Sequence, residues 1–142
     1  MFAVTCEFHF CYGHRLLNYD GKCAHLHGHN GLVEITLEKE SLDEKGMVLD
    51  FSELKQVVNA WIDKNIDHKM VLDENDPLAS MLAELNEPMY LMKRPPTAEN
   101  FARLFFEYVK ESGYPVSRVV FHETEKCSAT YSCDTKNCTS CE

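Results

Sequence analysis

Positive charge is scarce in this 142-residue chain. Lys and Arg number 14 against 23 Asp and Glu, for a formal net charge of -9. That balance excludes a broad basic surface for nucleic acid or an anionic membrane. It leaves room for a small basic pocket around one phosphorylated ligand. Long apolar runs are missing too, and no stretch approaches the roughly 20 residues that cross a bilayer. The opening Met1-Phe2-Ala3-Val4-Thr5-Cys6-Glu7 has no basic segment, which argues against a secretory signal. There is no internal repeat and no low-complexity linker. Hydrophobic residues at 44% are too many for a disordered chain, and the length suits one domain with a core rather than two.

What the chain does have is seven Cys and seven His. Cys6, Cys11 and Cys23 come early, whereas Cys127, Cys133, Cys138 and Cys141 crowd the end. An odd cysteine count without a secretory signal argues against a disulfide framework. The expectation is a reduced, cytoplasmic protein with metal or thiol chemistry. Cys6 reads as a small buried hydrophobe. His9, His14, His25, His27 and His29 fall close together near the N-terminus.

Residues 2–10 alternate, with Phe2, Val4, Cys6, Phe8 and Phe10 on one face, and residues 31–38 do the same with Val33, Ile35 and Leu37. Period two predicts half-buried strands. Asp50 followed by Glu53 predicts a helix start of capping-box type, continued by Phe51, Leu54, Val57, Val58, Trp61 and Ile62 at helical spacing. Asp76-Pro77 opens a short helix with Leu78, Met81, Leu82 and Leu85, and residues 89–92 read as a strand. Thr97 is placed to cap a third helix carrying Phe101, Leu104, Phe105, Tyr108 and Val109, which stops at Gly113. Residues 116–123 and 127–131 read as two further strands. Strand runs flanking helices predict an α+β fold with an antiparallel sheet.

His27 and His29 sit two apart ahead of a strand. An extended backbone there projects both imidazoles from one face, in step with Val33, Ile35 and Leu37. His14, ending the preceding strand, can close the set. Three imidazoles with a fourth position open is the pattern of catalytic zinc. His9 and His25 have the opposite parity and read as surface or supporting residues. Cys23 has two readings, as a fourth ligand that makes the site structural, or as an acid/base or nucleophilic thiol beside the metal. Spacing does not separate them.

Six ordered blocks then suggest a family. They are Phe10-Cys11-Tyr12-Gly13-His14-Arg15-Leu16, Cys23 followed by His27-Gly28-His29-Asn30, and Gly46-Met47-Val48-Leu49-Asp50-Phe51. Ile66-Asp67-His68-Lys69, Pro96-Thr97-Ala98-Glu99-Asn100 and His122-Glu123-Thr124 complete them. Together they resemble the 6-pyruvoyltetrahydropterin synthase family over about residues 2–131. The short gap from Cys23 to His27 resembles its bacterial branch, the 6-carboxy-5,6,7,8-tetrahydropterin synthases of the queuosine and deazapurine pathway.

The resemblance implies the tunnelling fold, an antiparallel sheet with helices on one face, in homotrimers that usually stack as homohexamers with sites at subunit interfaces. It implies zinc on His14, His27 and His29, Cys23 as a proton-transferring thiol, and Asp67 with His68 as a paired acid/base relay. It implies that Glu123 anchors the pterin ring, with Thr97 close by. The implied reaction turns 7,8-dihydroneopterin triphosphate into carboxytetrahydropterin, releasing acetaldehyde and triphosphate. The alternatives are the pyruvoyl-forming reaction and a zinc- or pterin-binding oligomer without turnover. Lys22, Lys69, Arg94 and Arg103 are candidate triphosphate contacts. The family domain is placed at residues 1–131 and a Cys-rich tail at 132–142. The tail reads as polar chain with exposed thiols or as a second metal or redox site. Cys11 replaces a small residue of the first motif and is expected near the metal.

Overall fold

The alternating N-terminal residues form one face of a long strand. β1 spans Phe2–His14 and β2 spans His27–Lys39. They pair antiparallel from Phe2↔Lys39 to His14↔His27. Both outrun the predicted strands at one end, and the added turns of pleat carry the histidines. The computed structural model describes residues 1–133; of the tail expected at 132–142, Ser132 ends the last strand and Cys133 packs against the core, while the rest, with Cys138 and Cys141, lies outside the described residues.

Parity sorts the faces as expected. Cys6, Phe8, Phe10, Tyr12 and His14 are buried from β1, and Val33, Ile35 and Leu37 from β2. Helix α1, Phe51–Asn65, begins where Asp50 accepts the Ser52 amide. Glu53, expected to reach back to that cap, instead accepts from the Tyr114 hydroxyl at 3.1 Å. Leu54, Val58 and Ile62 bury one stripe of α1, while Phe51 at its first turn stays half exposed. Helix α2, Leu78–Glu84, buries none of its residues, and Met81 and its neighbour Leu85 are exposed. Helix α3, Ala98–Glu111, is capped by Thr97 and buries Phe101, Ala102, Phe105, Phe106 and Val109. It ends before Gly113, whose φ of 89° is costly for residues with a Cβ.

The remaining strands are β3 (Lys69–Asp73), β4 (Met89–Met92), β5 (Val116–Thr124) and β6 (Cys127–Ser132). The sheet order is β4-β3-β1-β2-β5-β6. β1, β2, β5 and β6 form the expected antiparallel sheet. β3 joins β1, and β4 joins β3, in parallel, so the whole sheet is mixed. Parallel pairing requires a crossover, and α1 is that crossover. Its 15 residues, about 22 Å of helix, carry the chain back to the level of Tyr12, which pairs with Lys69. β3 gives no alternation because Val71 and Leu72 are both fully buried, as parallel strands covered on both faces are.

The core lies between this sheet and the helices on one face. Phe101 stacks on Phe121 at 4.7 Å, and Trp61 on Tyr108 at 4.8 Å. Replacing a phenylalanine so enclosed with alanine costs about 3–5 kcal/mol. Cys6 belongs to this core, and burial pushes its thiol up.

Candidate metal and acid/base sites

The sheet register itself assembles the histidines. His14 lies directly across from His27, and Tyr12 across from His29, so all three imidazoles leave the same face. Ring centroids are 4.5 Å apart for His14 and His27, 4.9 Å for His27 and His29, and 5.1 Å for His14 and His29. A donor nitrogen from each lies within 4.8 Å of the other two. Gly13 permits the tight edge beside them. A Cβ there would come within 2.3 Å of the Met70 sulfur on β3.

The tautomers follow from the partners. His14 Nδ1 lies 2.8 Å from the Pro96 carbonyl, and His27 Nδ1 lies 2.7 Å from the His25 carbonyl. A carbonyl only accepts, so each ring carries its proton on Nδ1 and leaves Nε2 bare. The Nε2 atoms of His14, His27 and His29 are all buried without a hydrogen-bond partner. Buried polar atoms are rarely left so. Three bare nitrogens converging, two of them on rings oriented by carbonyls, is the donor set a zinc ion takes. Burial pushes His14 and His29 below the usual imidazole range, which keeps them neutral and able to ligate.

Glu123 on β5 faces the same space. Its carboxylate oxygens lie 3.6 Å from His29 Nε2 and 4.0 Å from His14 Nε2. Cys23 sits in the short turn Lys22–Ala24, whose carbonyl at Cys23 accepts from the Leu16 amide at 2.8 Å. The histidine group does not include it. Thr97 Oγ1 accepts from the Asn100 amide at 3.3 Å, so the α3 cap also sets the Pro96 carbonyl that holds His14. The Arg15 guanidinium pairs with the buried Asp76, which also accepts from the Leu78 amide at 2.8 Å. That pair ties the end of β1 to the start of α2.

Asp67 and His68 lie elsewhere, at the entry to β3. The Asp67 carboxylate accepts the Cys11 amide at 3.0 Å and lies 2.8 Å from His68 Nδ1. The His68 amide donates to the Cys11 carbonyl at 2.7 Å, and His68 adopts φ of 58°. Partial burial works to raise the Asp67 carboxyl, but the Cys11 amide and the His68 ring together hold it below the usual range. Cys11, expected near the metal, is therefore beside the Asp67–His68 pair. Odd numbering puts its side chain on the face opposite Tyr12 and His14. Cys11, His68, Lys69 and Glu87 border an open cleft of about 470 Å3, which His27 also lines.

Of the candidate phosphate contacts, Arg94 and Arg103 both engage Glu107, and the Lys69 ammonium meets the Lys64 carbonyl. Lys22 stands next to Cys23 in the turn. The residues that sequence reasoning passed over are the backbone ones. The Pro96 and His25 carbonyls carry no side-chain signal. Tyr12 packs its ring 5.2 Å from His14, with its buried hydroxyl unpartnered. Burial first, and then Glu123, push that phenol up.

Known proteins resemble this chain over most of its length. A 6-carboxy-5,6,7,8-tetrahydropterin synthase of Rickettsia bellii is 33% identical over 134 residues, covering 89% of this chain and 97% of its own. One from Aquifex aeolicus is 35% identical, covering 78% and 75%. The crystal structure of an uncharacterised protein from Wolinella succinogenes superposes with a TM-score of 0.80 at 28% identity, over 94% of this chain and 98% of that one. Caenorhabditis elegans 6-pyruvoyl tetrahydropterin synthase superposes at 0.67 and 27% identity, with the same coverage. No helix among the described residues is long and apolar enough to cross a membrane. Residues 3–134 match the 6-pyruvoyl tetrahydropterin synthase family, and the chain belongs to it.

Proposed function

We propose that this chain is a zinc-dependent 6-carboxy-5,6,7,8-tetrahydropterin synthase of queuosine and deazapurine biosynthesis. It converts 7,8-dihydroneopterin triphosphate to the carboxy product and releases acetaldehyde and triphosphate. The observation that carries the reading is the set of three bare, buried Nε2 atoms beside the Glu123 carboxylate. The relatives named for this reaction support the choice of product.

His14, His27 and His29 hold the zinc, which when bound polarises the hydroxyls of the substrate side chain. Glu123 accepts paired hydrogen bonds from the 2-amino group and ring N–H of the pterin. Thr97 lies at the same wall. Asp67 takes the Nδ1 proton side of His68 and so leaves Nε2 to accept and return protons. Cys23 is the second proton-transferring group.

In one chain the three histidines converge on one face of β1, whereas the Asp67–His68 pair sits beside Cys11, whose side chain leaves the other face, and no donor of one group joins the other. A complete site therefore needs a second copy of the chain to present one group to the other, in a homotrimer or a stacked homohexamer. The phosphate-bearing partner is a small molecule, in keeping with the acidic charge.

Product analysis with dihydroneopterin triphosphate tests the reading. Acetaldehyde and the carboxy product in equal amounts are expected. A pyruvoyl product without acetaldehyde assigns the chain to the other reaction of its family. Stoichiometric zinc without turnover makes it a binding oligomer.

A further inference from the structure

We propose that Cys11, Asp67 and His68 form a second site for a thiophilic divalent cation, on ligands distinct from those of the histidine site. A thiol sulfur, a carboxylate oxygen and an imidazole nitrogen from these residues all lie within 4.8 Å of one another. A tetrahedral zinc site with bonds of about 2.0–2.3 Å spaces its donors by roughly 3.3–3.8 Å.

The backbone holds the three in place. The Cys11 amide donates to Asp67, and the His68 amide donates to the Cys11 carbonyl, so β1 and the β3 entry are locked at this corner. Cys11 Sγ donates to Asn30 Oδ1 at 3.0 Å, which fixes its direction from the neighbouring strand. A thiolate and a carboxylate bring two negative charges, which neutralise a dication. Sulfur with imidazole selects zinc, cadmium or another soft ion over magnesium or calcium. In the single chain the His68 side chain is 78% exposed and Cys11 is exposed, so the open cleft gives an ion a way in. An ion held there occupies the His68 ring and withdraws it from proton transfer. That consequence rests on the relay proposed above, whereas the site itself does not.

Cadmium titration of the full-length protein carrying one equivalent of zinc tests the site without any substrate. The readouts are the thiolate-to-cadmium charge-transfer band in the ultraviolet and the number of equivalents bound. Cys11→Ser is expected to lose one equivalent and its share of the band. His68→Gln is expected to weaken that equivalent by at least tenfold, and Cys23→Ser to leave it intact. An unchanged titration in Cys11→Ser overturns the site. So does loss of the same equivalent in Cys23→Ser, or undiminished binding in His68→Gln. Because turnover is not measured, failure here leaves the synthase reading untouched, and absence of turnover leaves the site untouched.

Discussion

The two clusters that flank β1 are built differently. On the inner face, His14 is 1% exposed, its Nδ1 is spent on the Pro96 carbonyl and its Nε2 is bare. On the outer side, His68 is largely exposed, held by Asp67 through the same atom, Nδ1, and carried on a left-handed backbone. Both rings are oriented through Nδ1 and both offer Nε2, yet one is walled by core aromatics and the other opens to a cleft. Burial suits a fixed ligand, which must stay neutral and still. Exposure suits a proton carrier, which must meet substrate and exchange with water.

That contrast breaks most sharply at His29. His29→Ala should remove the zinc equivalent of the histidine site and reduce turnover to background, because two imidazoles leave an incomplete donor set. Metal analysis beside the product assay checks it. If His29→Ala keeps zinc and turns over, the inner site is not the metal site. His68→Ala should instead keep the histidine-site zinc while kcat falls by about 10²–10⁴, the usual worth of a positioned acid/base group. Mixing the two inactive variants sharpens the comparison. If each complete site takes one cluster from each of two copies, subunit exchange at equal amounts restores about one quarter of the sites. No recovery after verified exchange would place both clusters within one chain.

The supports of the inner site should show smaller effects, on stability. Asp76→Ala removes the fully buried carboxylate that pairs with Arg15, leaves a partly exposed cation, and should cost about 1–3 kcal/mol in chemical denaturation. The Arg15 hydrogen bond, against the opposing pull of burial, holds the Asp76 carboxyl below the usual carboxylate range. Its contribution is thus present above the unfolded-state value of about 3.9 and lost as the pH falls through the lower folded value. The wild type should lose stability below about pH 4 more steeply than Asp76→Ala does. Parallel acid limbs would mean that Asp76 is not a source of that loss. Thr97→Ala should cost about 1 kcal/mol as a lost helix cap. A larger fall in zinc affinity than in melting temperature would tie the cap to the Pro96 carbonyl and hence to His14.

Residue type and spacing already specified a good deal. Alternation on residues 2–10 and 31–38 told which side chains face inward, and it placed His27 and His29 on that side with the apolar residues. Asp50 and Thr97 announced their helices because capping is local chemistry. Gly113 marked the end of α3 for the same reason. These features depend on neighbours a few residues away, so they survive without knowledge of the fold.

Other features required the chain to close on itself. β3 was invisible because its burial on both faces erases the period of two. Its parallel pairing to β1 depends on where α1 delivers the chain. Cys11 was expected beside the metal because it is close to His14 in sequence. One step of strand parity turns it away, and the β3 entry brings Asp67 and His68 to it. The carbonyls of Pro96 and His25 that leave Nε2 bare belong to the backbone, and no residue identity advertises a backbone acceptor. Local chemistry thus singled out the candidate ligands, while long-range contacts decided which nitrogen His14 and His27 leave free and which cysteine meets the exposed histidine.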